Sequence, residues 1–371
     1  MRSFLCLFVS ILFNNHYFYK ELRFLIRYFN FLYLKMHLKN QIISLLTREN
    51  IKHNVNLKFP LDYIIPVYHS VSNEKIPHLE HIISYKNINN FEKDLDFLAK
   101  NFQFVNWDEF KEFVNGNLKP KKKIALLTFD DGLREFKTII APILLRKGIF
   151  AINFVNPEFI DNQKMMFRNQ ASLLVNAVLN AKEIPNKISQ FLQINHINQQ
   201  KVKDEILKID FKNKEKLNEI ATLLEVDFKD YLLKNQPYLN IEEIHKLSDM
   251  GFMFGAHSMN HPLYNKLSLD KQLEETKDSL KFLKNNALKP ETFAFPFTDH
   301  EVSKSFFDQL FTTEKELFCT FGSAGIKKDS FTKNFQRIPM ENKKTAELTI
   351  NEEITYFNIK KWLNKNTITR R

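Results

Sequence analysis

The sequence predicts an α/β fold in which several strands bring their C-terminal ends to one face of a barrel or sheet. Three observations carry that expectation. Four apolar runs, Tyr63–His69, Ile124–Gly132, Gly251–His261 and Thr292–His300, each stop at polar residues, as strands do when they end at a catalytic mouth. Segments of helical period lie between them, such as Phe91, Leu95 and Leu98. The chain has 371 residues, 44% of them hydrophobic, enough for one barrel domain of about 200–250 residues with additions.

Residues 1–60 form a separate N-terminal segment. Phe4–Phe13, FLCLFVSILF, is apolar but short for a membrane span, and no small-residue cleavage site follows it. Phe24–Leu34 is a second apolar stretch, broken by Arg27 and Asn30. Aromatics alternating with Lys and Arg suit a membrane-surface anchor making peripheral contact. The alternative is a true translation start at Met36. Localisation stays open between membrane-associated and cytoplasmic, with no clear cleavable signal peptide.

The first strand, YIIPVYH, delivers His69. A helix follows, with Asn89 or Asn90 as its N-cap, and Trp107, Phe110 and Phe113 continue an apolar stripe toward Gly116. IALLTFDDG then ends in Asp130, Asp131 and Gly132, placing two adjacent carboxylates at a strand tip. One can hold a metal while its neighbour takes a proton. Thr138–Leu145 reads as a helix that Gly148 ends, and Phe150–Val155 as the next strand.

From Asp161 to Asn240 the pattern becomes long, charged and helical, as in Lys201–Leu207 and Lys214–Leu224. That length exceeds an ordinary loop, so residues 162–240 read as a helical insertion within a barrel spanning 61–340. Phe167 and Arg168 at its start are candidates for substrate contact, with packing onto the barrel as the plainer role.

Ile241–Leu247 leads through Gly251 into GFMFGAHSMNH, where His257 and His261 stand four apart and share a face if the segment turns helically. Two histidines and an aspartate make a three-ligand site with open positions, the pattern of catalytic zinc. Ser268 opens a helix buried through Leu273, Leu280 and Leu283. TFAFPFTDH follows, with Pro296 and Phe297 as an apolar wall and Asp299 and His300 facing a shared pocket. Phe318–Gly322 and the region of Ile338 supply the last strands, and 341–371 reads as a C-terminal tail.

The segments TFDDG at Thr128–Gly132, HSMNH at His257–His261, YHSVS at Tyr68–Ser72 and FAFPF at Phe293–Phe297 together resemble the polysaccharide deacetylases, carbohydrate esterase family 4, NodB-like. The likeness covers roughly Asp62 to Met340. It implies a distorted (β/α) barrel and metal-dependent removal of acetyl groups from the N-acetylated sugars of a cell-envelope or exported polysaccharide. By that likeness Asp130 is the catalytic base, and Asp131, His257 and His261 hold a divalent ion, zinc being the first expectation among several that mixed Asp/His ligands suit.

Two departures from the family pattern matter. Many members carry an arginine two residues before the proline of the third motif, where this chain has Ala294. Many also end in a Leu-x-His motif that supplies the general acid, yet no histidine follows His300. His69 and His300 are the candidates for the acid. Arg337, in FQRIPM at Phe335–Met340, is a candidate for the missing arginine and for substrate contact.

Acetamide hydrolysis needs a nucleophile at neutral pH, stabilisation of the oxyanion and a proton for the departing amine. With oxygen as the leaving atom the same groups make an O-acetyl esterase. The pattern is also compatible with a catalytically silent glycan-binding relative or a membrane-associated scaffold. The formal charge of +11 reads as solvated surface, since the lysines are scattered and no nucleic-acid recognition motif accompanies them. Cys6 and Cys319 form no disulfide framework.

Overall fold

The computed structural model describes residues 55–194 and 198–371, apart from the side chains of Asn56 and Leu57. The apolar stretches at Phe4–Phe13 and Phe24–Leu34, the translation start at Met36, and Cys6 lie outside the described residues. Among the described residues no helix is long and apolar enough to cross a membrane.

Among the described residues there are thirteen short strands: β1 (Tyr63–Ile64), β2 (Pro66–Tyr68), β3 (Gln103–Phe104), β4 (Ile124–Ala125), β5 (Leu127–Phe129), β6 (Ala151–Val155), β7 (Met253–Ala256), β8 (Thr292–Ala294), β9 (Cys319–Gly322), β10 (Lys328–Asp329), β11 (Asn334–Gln336), β12 (Ile338–Pro339) and β13 (Thr367–Ile368). Eight make one sheet in the order β11-β9-β8-β7-β6-β5-β2-β12, and every pairing in it is parallel. Its two edges, β11 and β12, are separated in sequence by Arg337 alone. The sheet therefore curls until one strand, bent at Arg337, serves both edges. This is the distorted (β/α) barrel expected from the sequence.

The strands are apolar on both faces because both are covered. β6 and β9 are buried at every position, as parallel strands are when helices pack outside and side chains fill the lumen. Phenylalanines do much of the filling. Phe129, Phe136, Phe252 and Phe254 meet edge-to-face at 5.1 to 6.3 Å, and full burial of each contributes about 1.5–3 kcal/mol.

Local signals set the helix boundaries. Ile88–Asn101 starts at Asn87, whose side chain accepts from the Asn90 N–H. Asn89 and Asn90, expected as caps, therefore lie inside the first turn. Asn106 with Glu109, and Asn240 with Glu243, make reciprocal capping boxes on Trp107–Val114 and Ile241–Asp249. Ser268 caps Leu269–Asn285. The helix after the DDG turn begins with a π-turn, Phe136–Ile140, before Ala141–Arg146.

The insertion is helical. Phe167–Asn180, Asn186–Phe191, Gln199–Lys208, Lys216–Leu223 and Phe228–Asn235 share an apolar cluster that includes Leu174, Val202, Ile206 and Ile220. Ile76, Leu79 and Leu133 of the barrel join that cluster. Phe167 and Arg168 serve packing: Phe167 meets Phe211 edge-on, and Arg168 donates to the Leu207 carbonyl at 2.9 Å.

The segment after Glu341 is more than a tail. It belongs to the same compact unit as the barrel. The helix Ala346–Trp362 buries Ile350, Ile354 and Phe357 in the main core. β13 pairs with β10, and the side chain of Arg370 is buried.

Candidate active site

The C-terminal ends of the parallel strands carry the polar groups. β2 runs into His69, β5 into Asp130 and Asp131, β7 into His257, and the bend between β11 and β12 presents Arg337. Ladder hydrogen bonds continue one residue past the strands: the Asp130 N–H donates to the Tyr68 carbonyl at 3.0 Å and the His257 N–H to the Val155 carbonyl at 3.0 Å. The backbone of Asp130 and of His257 is thereby held in register with the sheet.

Beyond those positions the backbone departs from ordinary conformations. Asp131, Ser258, His261 and Phe297 have φ of 74°, 64°, 62° and 56°, in the left-handed region that non-glycine residues rarely occupy. Such strain persists only where surrounding structure imposes it, and it gathers at functional sites. Gly132 also has positive φ, and a Cβ there would approach Val155 Cγ1 to 3.0 Å. The insertion braces this turn from outside: Leu239 N–H donates to the Gly132 carbonyl at 2.8 Å and Arg134 N–H to the Pro237 carbonyl at 2.9 Å.

Asp131, His257 and His261 converge, each offering one ligand atom within 4.8 Å of the others. Asp131 Oδ1 lies 3.6 Å from His257 Nε2 and 3.4 Å from His261 Nε2. Ligands about 2.0–2.1 Å from a tetrahedral ion stand roughly 3.3 Å apart. The donor set fits a divalent cation in a second way. Asp131 Oδ1 and His257 Nε2 are buried without a hydrogen-bond partner, which is costly unless something else satisfies them. His257 Nδ1 is 2.8 Å from the Ala294 carbonyl; donating there fixes the tautomer that leaves the Nε2 lone pair free.

Electrostatics point the same way. Burial pushes the Asp131 carboxyl up to about 7 and the His257 imidazole down to about 4, and it takes His261 well below its ordinary range. Neutral imidazoles are the metal-binding form. A cation among these three residues would favour the ionised form of the Asp131 carboxyl.

Asp130, next in line, has a partner of its own. Its two oxygens accept from Arg337 Nη1 at 2.6 Å and Nη2 at 2.8 Å. Arg337 is also tied to the Gly322 carbonyl through Nε at 3.2 Å and lies 5.3 Å from the Phe154 ring centroid. Burial raises the Asp130 carboxyl, but Arg337, with His257 adding, holds it down at about 2. The expectation that Arg337 contacts substrate is corrected: its side chain is 1% exposed and its fork is occupied by Asp130. The pairing places a guanidinium beside Asp130 from the bend between β11 and β12.

His69 is half-buried and 2.5 Å from Glu341 Oε2 through Nδ1, while Glu341 Oε1 accepts the N–H groups of His69 and Ser70, each at 2.9 Å. Burial alone would lower the imidazole, yet Glu341 together with Asp131 and Asp130 raises it to about 10. Sequence reasoning missed Glu341. It sits one residue past the expected barrel boundary, and no local pattern ties it to a histidine 272 positions away.

Two other expected site residues do something else. Asp299 is buried and its carboxylate accepts from Asn334, Gln336 and Arg370, so it is a structural anchor and not a substrate contact. His300 points into solvent, 70% exposed, with Glu301 3.7 Å away, and stays outside the convergence of Asp130, Asp131, His257 and His261. Pro296 is buried, while Phe297 is 45% exposed and sets its ring edge-on to His261 at 4.5 Å.

A parallel barrel with an Asp-His-His cluster and a paired acid at the strand ends defines a class of hydrolytic barrel. A family model described as polysaccharide deacetylase matches residues 117–306, just over half of the chain, and the protein belongs to that family of hydrolases, the NodB-like carbohydrate esterases. His69, Arg337 and Glu341 all lie outside the matched residues. Among solved structures, the chain is similar to the Streptococcus pyogenes deacetylase PplD in complex with acetate, at 15% identity and TM-score 0.51, covering 78% of this chain and 97% of that one. It is also similar to a de-N-acetylase from Aggregatibacter actinomycetemcomitans, at 13% identity and TM-score 0.50, covering 78% and 99%. These likenesses are of fold. No curated protein sequence matches the chain.

Proposed function

We propose that this protein is a metal-dependent deacetylase that removes acetyl groups from N-acetylated sugars of a polysaccharide and releases acetate. The observation that carries the reading is the set of unsatisfied buried donors, Asp131 Oδ1 and His257 Nε2, facing one another beside His261. Asp131, His257 and His261 would hold the divalent ion, zinc being the first expectation among the several that mixed oxygen and nitrogen donors suit. When bound, such an ion polarises an acetyl carbonyl and makes water a stronger acid.

The chain's own groups supply the rest. Asp130 is the proton acceptor: its carboxylate is 3.8 Å from His257 Nε2 and Arg337 keeps it ionised and aimed. Bidentate pairing makes it a weaker base in exchange for fixed orientation. His69 is the proton donor to the leaving amine. Glu341 keeps its ring protonated and oriented through Nδ1, which leaves Nε2–H to be given up. Positive charge at the cluster would oppose the contributions of Asp131 and Asp130 to the His69 pKa, bringing the donor closer to neutral. Phe297, with buried Pro296 behind it, forms an apolar wall for the sugar or its acetyl methyl.

The relative titled a de-N-acetylase supports amide over ester cleavage. Protein loaded with zinc should release acetate from N-acetylated oligosaccharides and expose free amines in equal number. Acetate from O-acetylated glycans alone would make it an esterase. No acetate from either substrate would reject the enzymatic reading.

A further inference from the structure

Phe297 occupies a left-handed backbone conformation, φ 56°, that an aromatic residue adopts only when its surroundings impose it. Two anchors do so. Ser323 Oγ donates to the Phe297 carbonyl at 2.5 Å. Two residues on, Asp299 is sealed in at 1% exposure, and Arg370 grips it twice, through Nη1 to the main-chain carbonyl at 2.7 Å and through Nη2 to Oδ2.

Arg370 is itself immobilised. It donates through Nε to Asp329 Oδ1 at 3.2 Å and through Nη2 to Asp329 Oδ2 at 2.5 Å, and its guanidinium lies 4.9 Å from the Phe307 ring centroid. Asn334 Nδ2 and Gln336 Nε2 donate to the same Asp299 oxygen at 2.8 and 2.6 Å. One guanidinium thus joins the turn after β8 to the strand pair β10–β13 and, through the shared amides, to β11.

We propose that Arg370 is a positioning residue for the deacetylation site: by clamping Asp299 it holds the Phe297 turn in its strained conformation, with the ring against His261, and so fixes the wall that receives the sugar. The proposal rests on the reading of Phe297 as part of the sugar site. Arginine is needed because its planar fork reaches two carboxylates and a carbonyl at once, which a lysine ammonium does not reproduce. Without it, Asp299 and Asp329 share the pocket with no cation between them, and the turn is free to relax.

The test compares Arg370→Gln, Arg370→Lys, Phe297→Ala and the Arg370→Gln/Phe297→Ala double variant. The readouts are acetate release at varied oligosaccharide concentration, zinc content, and amide hydrogen exchange of the 292–300 segment. Arg370→Gln should raise KM by about tenfold, the scale of one lost apolar contact, with kcat within about twofold and zinc retained. Arg370→Lys should fall between. The Gln substitution should add nothing to KM once Phe297 is alanine, because the two act as one unit. Exchange of 292–300 should quicken while the barrel strands stay protected.

A lower kcat at unchanged KM, or full additivity with Phe297→Ala, overturns the proposal by reducing Arg370 to a stability element. Should Arg370→Gln fail to fold, Ser323→Ala removes the other anchor without stranding a charge; it should raise KM in the native background and leave KM unchanged in Phe297→Ala, and any other pattern counts against the clamp. If wild type releases no acetate, the deacetylase reading is what fails. The exchange measurement then still decides the clamp, since unchanged protection of 292–300 in Arg370→Gln or Ser323→Ala refutes it.

Discussion

Arg337 holds both oxygens of Asp130, at 2.6 and 2.8 Å, across 207 residues of sequence. Both side chains are nearly inaccessible, so each depends on the other to offset the loss of water. Arg337→Met should leave a buried carboxylate uncompensated and cost about 3–5 kcal/mol of stability. Arg337→Lys should recover only part, lacking the fork. Urea unfolding of the three proteins measures this, and equal midpoints would show the pair to be dispensable.

Asp130→Asn keeps the shape of the acceptor and removes its basicity. Zinc content should stay at wild-type level, since Asp130 is not among the three converging ligands, while turnover falls by about 10²–10⁴-fold. Wild-type turnover in this variant would remove Asp130 from the mechanism.

His69 offers a pH signature. Its folded pKa is raised to about 10 through Glu341, Asp131 and Asp130, against burial. A group raised on folding lends stability that is complete below its unfolded pKa, about 6.5, and is lost as pH climbs toward the folded value. The stability gap between wild type and His69→Gln should therefore be widest near pH 6 and shrink by pH 10. In activity, Glu341→Gln should move the alkaline limb of kcat/KM toward the ordinary imidazole range, because the protonated donor is lost earlier. An alkaline limb that stays where it is in wild type would exclude His69 as the acid.

Metal removal should be visible without any substrate. With Asp131, His257 and His261 unsatisfied, chelated protein carries buried groups that burial drives toward their neutral forms. Zinc at about 100 times its dissociation constant should stabilise the fold by about 2.7 kcal/mol, read as a rise in Tm. His257→Ala should abolish the rise. An undiminished zinc shift in that variant would place the ion elsewhere.

How much of this was legible before folding is clear from particular residues. The Asp130–Asp131 pair and His257 announce themselves because they stand where apolar runs stop, and His261 because it follows His257 by four positions. The barrel follows from the repetition of that pattern, and the insertion from its length. Residues at 162–240 showed helical period, but the role of Phe167 and Arg168 in packing depended on Phe211 and Leu207, which only the folded insertion brings near.

By itself, then, the sequence indicated the barrel strands that end at His69, Asp130 and His257, the helical period of 162–240 and the family. Tertiary structure alone decided which distant charges meet: Arg337 with Asp130, Glu341 with His69, and Arg370 with Asp299. The physical reason lies in barrel closure, which brings the last strands, β11 and β12, back to the first and carries residues from the far end of the chain to the mouth. Burial then makes those meetings consequential, because a charge removed from water must find its partner wherever the chain has placed one. For the same reason Asp299 and His300, neighbours in one motif, part company: one is sealed among Arg370, Asn334 and Gln336, and the other is left to solvent.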